Sequence, residues 1–376
     1  MVNLLSKKSY FKKIDELLSM SSVNYSEIER TVLEGIEDKL PAEEATKISK
    51  LLEYCELPYA KVKLYKYLGD NLLMTSTFQD AFAYYTIALD IAEESGFKDQ
   101  KLLLYNNMGV CKLKEVQYEE AIYYFNNVLI LSNSLKNYSI YKRSIYNLAL
   151  AYHCIYKFDD ALKIINNMDN YLDKEENKII YLKMKILEAQ CYEEKGLVRK
   201  AIKIYEELLL DTKDIPSLLL GNIYNNMANN MLLQKNYDKS RELYEKAYDV
   251  RKDEEDNDIS HVLINSASLY LEINDMKEFF KRIKQGLELC RKENDYEYII
   301  TGLLKLEAAY RKLHDKEKLK EVYLEMLKVA EENNLRKDTM YALNKLISTE
   351  IKNKNYREAY IYNNKLNNYI ENIVNN

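Results

Sequence analysis

The stretch FQDAFAYYTIALDIAEES, residues 78 to 95, decides the fold. Ala81, Tyr85 and Ala88 stand four and three residues apart, which puts them on one face of an α-helix. The pattern recurs around Ala121, Ala161, Ala201, Ser240, Phe279, Leu319 and Ala359. Successive anchors lie 40, 40, 40, 39, 39, 40 and 40 residues apart, a regularity that marks an internal repeat. Four residues after the anchor comes a bulky side chain: Tyr85, Phe125, Ile165, Tyr205, Tyr244, Ile283 or Tyr323. Twelve residues before it sits a small one: Gly69, Gly109, Ala149, Ala189, Ala228 and Ala267, replaced in the last two units by Glu307 and Ile347. Small residues at this offset let two antiparallel helices cross closely.

Composition agrees. The 376 residues include 8 Gly, 3 Pro and no Trp, too few breakers for anything but helices throughout. With 47% hydrophobic and 31% charged residues the chain has ample material for a core. A net charge of -5 argues against a global nucleic-acid footprint, which would be basic. Cys55, Cys111, Cys154, Cys191 and Cys290 are odd in number and widely spaced, as reduced thiols are. The start, MVNLLSKKSYFKK, is no signal peptide, and no 18-residue apolar run occurs. The expectation is a soluble cytoplasmic protein with no membrane partner.

The small–x11–Ala–x3–aromatic–x2–small pattern resembles the tetratricopeptide repeat (TPR), over roughly residues 59 to 372. That family's usual period is about 34, so each unit here has about six residues more, nearly an extra turn per helix. The resemblance implies an all-α, right-handed TPR-like α-solenoid of about eight helix pairs over residues 58–376. Residues 1–57 fall outside the repeat and read as an N-terminal helical region. It has helices near 4–20, 25–39 and 41–56, Asn24 or Ser26 capping the second and Pro41 in the first turn of the third. Most of the 35 Tyr are expected in the core, and the run from Arg251 to Asp258 in a solvated loop.

No catalytic constellation appears, and the chain reads as a non-enzyme without cofactor or metal. His153, His261 and His314 lack metal-ligand spacing, and His153 and Cys154 are helical neighbours that point to different faces. There is no Gly-rich phosphate loop and no G-x-S-x-G.

Asparagine is the more telling residue. Asn107, Asn147, Asn226 and Asn265 precede the small residue by two, and Asn229 follows Ala228 by one. In TPR proteins this side of the first helix lines the concave surface. An Asn amide offers donors and an acceptor, the complement of a peptide bond. Such a row can grip an extended peptide, or it can bond neighbouring helices. Arg143 and Lys183, each six residues before the small position, and Arg311 in a later repeat, are candidates for a peptide carboxylate.

Within NIYNNMANNM, residues 222–231, the run Asn226-Met227-Ala228-Asn229 resembles the Asn–x–Ala–Asn signature of Rap-type peptide receptors. The wider group is the Gram-positive quorum-sensing regulators Rap, NprR, PlcR, PrgX and Rgg. The resemblance implies a peptide-sensing regulator that holds a short signalling peptide in its groove. Its output is a regulatory protein partner, or DNA through a domain not present in this chain; a homodimer is compatible. No helix-turn-helix pattern is visible, so a DNA-binding domain is either absent or lies outside this chain. Residues 1–57 contain no Gln, the residue Rap phosphatases use, which favours sequestration of a partner over dephosphorylation. The alternative is a TPR adaptor for a partner protein. A chaperone-type carboxylate clamp is disfavoured, because beside Lys66 the clamp's Asn is replaced by Asp70.

Overall fold

A computed structural model describes residues 9–168, 172–210, 212–213, 215–252 and 259–374. Nineteen helices and no strand occur among them. The chain forms two compact units, Met1–Ile204 and Tyr205–Asn376.

Unit 1 begins with α1 (Tyr10–Leu18), α2 (Tyr25–Glu37) and α3 (Ala42–Leu51). Asn24 caps α2 by accepting from the Glu27 amide. Glu44 on α3 reaches across to the start of α1 and accepts from the Phe11 amide at 2.8 Å. The next helices run in antiparallel pairs: α4 (Pro58–Met74) with α5 (Phe78–Glu94), α6 (Lys98–Lys114) with α7 (Tyr118–Leu135), and α8 (Tyr141–Cys154) with α9 (Phe158–Asn166). Then come α10 (Lys178–Glu194) and α11 (Val198–Leu208), which belongs to unit 2 from Tyr205 onward. α4 is buried on two faces. Ala60, Leu64 and Leu68 pack with Ile14, Ile28, Val32 and Ile48, while Val62 packs with Ala81, Tyr85 and Ala88. A helix with apolar residues on opposite sides is an interior helix, and Tyr67 ties it down by donating to the Leu40 carbonyl at 2.6 Å.

Unit 2 continues the alternation with α12 (Ser217–Leu233) and α13 (Tyr237–Arg251), α14 (Ile259–Glu272) and α15 (Met276–Glu293). It ends with α16 (Tyr296–Lys312) and α17 (Lys316–Glu332), then α18 (Arg336–Lys352) and α19 (Tyr356–Val374). One core runs from Ile264 on α14 through Phe279, Leu303, Tyr323 and Leu343 to Leu366 on α19.

The turn inside each pair has one geometry. Ser76, Val116, Tyr156, Gly196, Lys235, Asn274, His314 and Lys354, each five residues before its anchor, all have left-handed φ between 58° and 72°. A residue in this conformation after a helix returns the chain antiparallel. Only Gly196 among them is glycine, so no Gly pattern announces these turns. The small–bulky offset is a steric lock. A Cβ on Gly69 would meet the Tyr85 ring at 2.5 Å, and one on Gly109 the Phe125 ring at 2.7 Å.

Several expectations need correction. α1 starts at Tyr10, with residues 1–8 outside the described set, and α3 stops at Leu51. Pro41 is the cap residue of α3, not its first turn. α9 and α11 have 9 and 11 residues, so not every helix gained length. After α9 the run Asn166-Asn167 favours turns over helix, and Pro216 fixes the start of α12. Among the described residues seven tyrosines are buried: Tyr10, Tyr85, Tyr141, Tyr205, Tyr244, Tyr270 and Tyr323. Many of the others flank the core with half-exposed rings, because a phenol keeps its hydroxyl near water or a polar partner. Arg251 is no loop residue. It lies on α13 at 2% exposure, fills the notch that Gly221 leaves open, and donates to Asn222 at 2.6 Å and to the Leu218 carbonyl at 3.2 Å. Of the expected loop, residues 253–258 lie outside the described set.

Candidate functional site

In unit 2 the first helices of successive pairs, α12, α14, α16 and α18, carry the candidate residues at fixed register. The position two before the small one holds Asn226, Asn265, Lys305 and Lys345; the position one after it holds Asn229, Ser268, Ala308 and Ser348. These side chains meet across neighbouring helices, since Asn265 on α14 reaches α12 and Lys305 on α16 reaches α14.

Asn265 is 9% exposed and donates to Asn225 Oδ1 at 3.4 Å and to the Tyr298 hydroxyl at 3.2 Å. Asn225 donates to Asn226 Oδ1 at 3.4 Å, and Asn226 donates to the Tyr205 hydroxyl at 3.3 Å. Tyr298 stacks on His261 with centroids 3.4 Å apart and planes 5° off parallel, and His261 Nε2 meets Asp295 Oδ2 at 2.6 Å. Asn229 Oδ1 accepts from Tyr244, whose own ionisation burial pushes up. An amide with only these bonds is not exhausted. Both Nδ2 hydrogens of Asn229 and the second one of Asn226 are without a partner among the described residues, and both side chains are half-buried. Asn265 is instead spent on structure, the second of the two roles open to each Asn.

Unit 1 divides its candidates too. Asn107 donates to Asp70 Oδ1 at 2.9 Å and accepts from Asn106 at 3.1 Å. Asp70 also takes the Tyr85 hydroxyl at 2.8 Å and Lys66 Nζ at 2.5 Å. Asn107 is therefore locked inside a network, and Lys66 is neutralised rather than held ready for a ligand carboxylate. Arg143 and Asn147, one turn apart on α8, have no partner among the described residues, and Arg143 is exposed. Exposed Lys183 on α10 lies 5.7 Å from the ring of Tyr146, also on α8.

Arg311 does not join either group as a free cation. Glu307, standing where earlier pairs have a small residue, is 5% exposed and must be compensated. Arg311 Nε donates to it at 2.8 Å, Tyr323 at 3.0 Å and Tyr341 at 2.8 Å. The guanidinium serves as the counter-ion of that carboxylate. The register overlooked Lys305, which occupies the Asn265 position one pair later. Its Nζ donates to Ser268 Oγ at 2.6 Å, and burial alone holds its pKa down to about 8. Reading the register through to α16 finds it.

Burial raises the Cys111 and Cys191 thiols to about 12 and Cys290 to about 11, which keeps these three protonated at neutral pH. No group of three possible metal ligands, and no helix long and apolar enough to cross a membrane, occurs among the described residues.

Helix pairs of this register and turn define a TPR-like solenoid fold, and a tetratricopeptide-repeat family model matches residues 219–292, the stretch that holds Asn226, Asn229 and Asn265. Curated protein sequences give no match. Among solved structures the chain is similar to the apo form of the quorum sensor NprR from B. thuringiensis, at TM-score 0.62 and 15% identity, covering 91% of this chain and 97% of that one. It is similar to NprR in complex with its cognate peptide NprX at TM-score 0.57 and 18% identity, over 84% and 88% of the two chains. The apo form of RapI matches at TM-score 0.66 and 13% identity, over 86% and 92%. At these identities the likeness is one of fold.

Proposed function

We propose that this protein is a peptide-sensing regulator, in which Asn226 and Asn229 hold the backbone of a short peptide against the first-helix face of unit 2. The observation that carries the reading is the unspent hydrogen-bonding capacity of these two amides, held in place by Tyr205, Asn225 and Tyr244. Preset donors on a rigid helix bind a peptide carbonyl with little ordering cost. NprR, similar in fold, is a quorum sensor with a cognate peptide. In unit 1, Arg143, Asn147 and Lys183 offer unspent polar groups of the same kind. Repeats contact mainly their neighbours, so a ligand that prefers one inter-repeat setting shifts the equilibrium toward it. The output partner is a regulatory protein that docks on the helices of residues 1–57, and the protein acts in the cytoplasm.

The test is fluorescence anisotropy with a labelled random heptapeptide pool. The wild type is expected to bind, and Asn226→Ala to bind roughly 5- to 150-fold more weakly, the cost of about 1–3 kcal/mol for an unpaired buried group. Equal affinity in a variant that keeps its helical circular dichroism refutes the site. Failure of the wild type to bind any peptide, with capture of a folded partner instead, makes it an adaptor.

A further inference from the structure

Lys305 poses an electrostatic problem that the fold leaves unsolved. Lys305 is half-buried, and the hydrogen-bond partner of its ammonium, Ser268, is neutral. No carboxylate of the described residues comes within ion-pair distance of it, whereas the buried ion of α16, Glu307, has three donors and Lys345 at 3.8 Å. A partly desolvated cation without an anion costs stability, and an incoming anion would offset that cost. Position sharpens this. Lys305 continues the column of Asn226 and Asn265, so a chain lying along that column would pass over it. Lys345, next in the column, opens a cavity of about 280 Å³ whose charged lining is basic: Lys316 and Lys352, together with Arg311 and Lys345, which share Glu307. Lys316 and Lys352 are exposed and have no acidic partner among the described residues.

We propose that the ligand of unit 2 is an acidic peptide: one carboxylate pairs with Lys305, and the end of the peptide beyond it carries a second anionic group, a side chain or the terminal carboxylate, into the basic cavity at Lys345. The inference rests on the peptide-binding reading above and adds the charge and direction of the ligand. The amides of α12 hold backbone and do not read sequence; the lysines of α16 and α18 select acidic residues and set which end of the peptide lies over them. Lys305 is then a specificity residue, desolvated in advance so that the pairing is strong.

Heptapeptide pools with Asp, Asn or Lys fixed at one position in turn, and the rest random, test this by anisotropy against the wild type, Lys305→Met and Lys305→Glu. Lys305→Met removes a charge that burial disfavours, so it folds at least as well as the wild type, which a thermal melt verifies. The wild type is expected to favour Asp over Asn at one position by about tenfold or more. Lys305→Met abolishes that preference while binding the Asn pools within about threefold of the wild type, and Lys305→Glu turns the preference toward Lys. Pools that bind without a preference for Asp, or a preference that survives Lys305→Met, overturn the acidic-ligand proposal and leave the peptide receptor standing. A wild type that binds no pool overturns both.

Discussion

Replacing Gly69 by Ala tests the lock on which the pair geometry depends. The new Cβ would lie 2.5 Å from Tyr85 Cε1, 2.8 Å from Cδ1 and 2.9 Å from Cζ, where carbon atoms prefer about 3.5–4.0 Å. The ring cannot swing away freely. Tyr85 is fully buried, and its hydroxyl is held by Asp70 at 2.8 Å. Overpacking of this kind costs about 1–3 kcal/mol. Pulling the phenol off Asp70 adds roughly 1.5 kcal/mol, while Ala in place of Gly returns about 1 kcal/mol of helix propensity. The expected net loss is about 1.5–3.5 kcal/mol, read as a lower midpoint in urea unfolding followed by far-UV circular dichroism. Gly109→Ala supplies the comparison: its Cβ would meet Phe125 at 2.7 Å, but that ring has no hydroxyl to lose, so the expected cost is smaller by about 1.5 kcal/mol. Unit 2 contains the contrary precedent, for Ala228 stands opposite Tyr244 at the same offset. If both variants stay within about 0.5 kcal/mol of the wild type, the pairs relax to accommodate the methyl group, and the glycines do not set the helix spacing.

Val116→Gly is expected to stabilise the chain by about 1 kcal/mol, because a β-branched residue at φ 63° is strained and its side chain is mostly exposed, so little packing is lost; thermal melts decide it. Lys305→Met is expected to raise stability at pH 7 by at most about 3 kcal/mol. The lysine pKa is lowered from 10.5 to about 8 by burial. Below about pH 8 both states carry the charge and the burial cost is fully present; between about 8 and 10.5 the folded chain releases its proton first, so stability rises with pH. That rise should be absent from urea midpoints of Lys305→Met, and an identical pH profile refutes the assignment. Arg251→Met, which loses the bonds to Asn222 and Leu218 while filling the Gly221 notch, is expected to cost about 2–4 kcal/mol in urea unfolding.

The repeat and the helices were legible in the sequence because both are local. A buried stripe at period 3.6 and an anchor every 39 or 40 residues require only that like segments fold alike. What the candidate residues do was not legible. The Asn register puts Asn107, Asn226 and Asn265 in equivalent places, yet Asp70 claims the first and Tyr298 the last, and Asn226 keeps a free donor. Arg311 reads as an exposed cation until Glu307 is found buried beneath it. Arg251 reads as part of a charged loop, although the missing side chain of Gly221 gives it a buried slot.

The sequence by itself thus determined the helix pairs, their order and the helix face that carries the asparagines. Only the tertiary structure decided which amides remain unspent and which cation lacks an anion. The physical reason is that these bonds join first helices of neighbouring pairs, such as Asn265 to Asn225 across 40 residues of chain and Lys305 to Ser268 across 37. Donor and acceptor become neighbours only when the pairs stack.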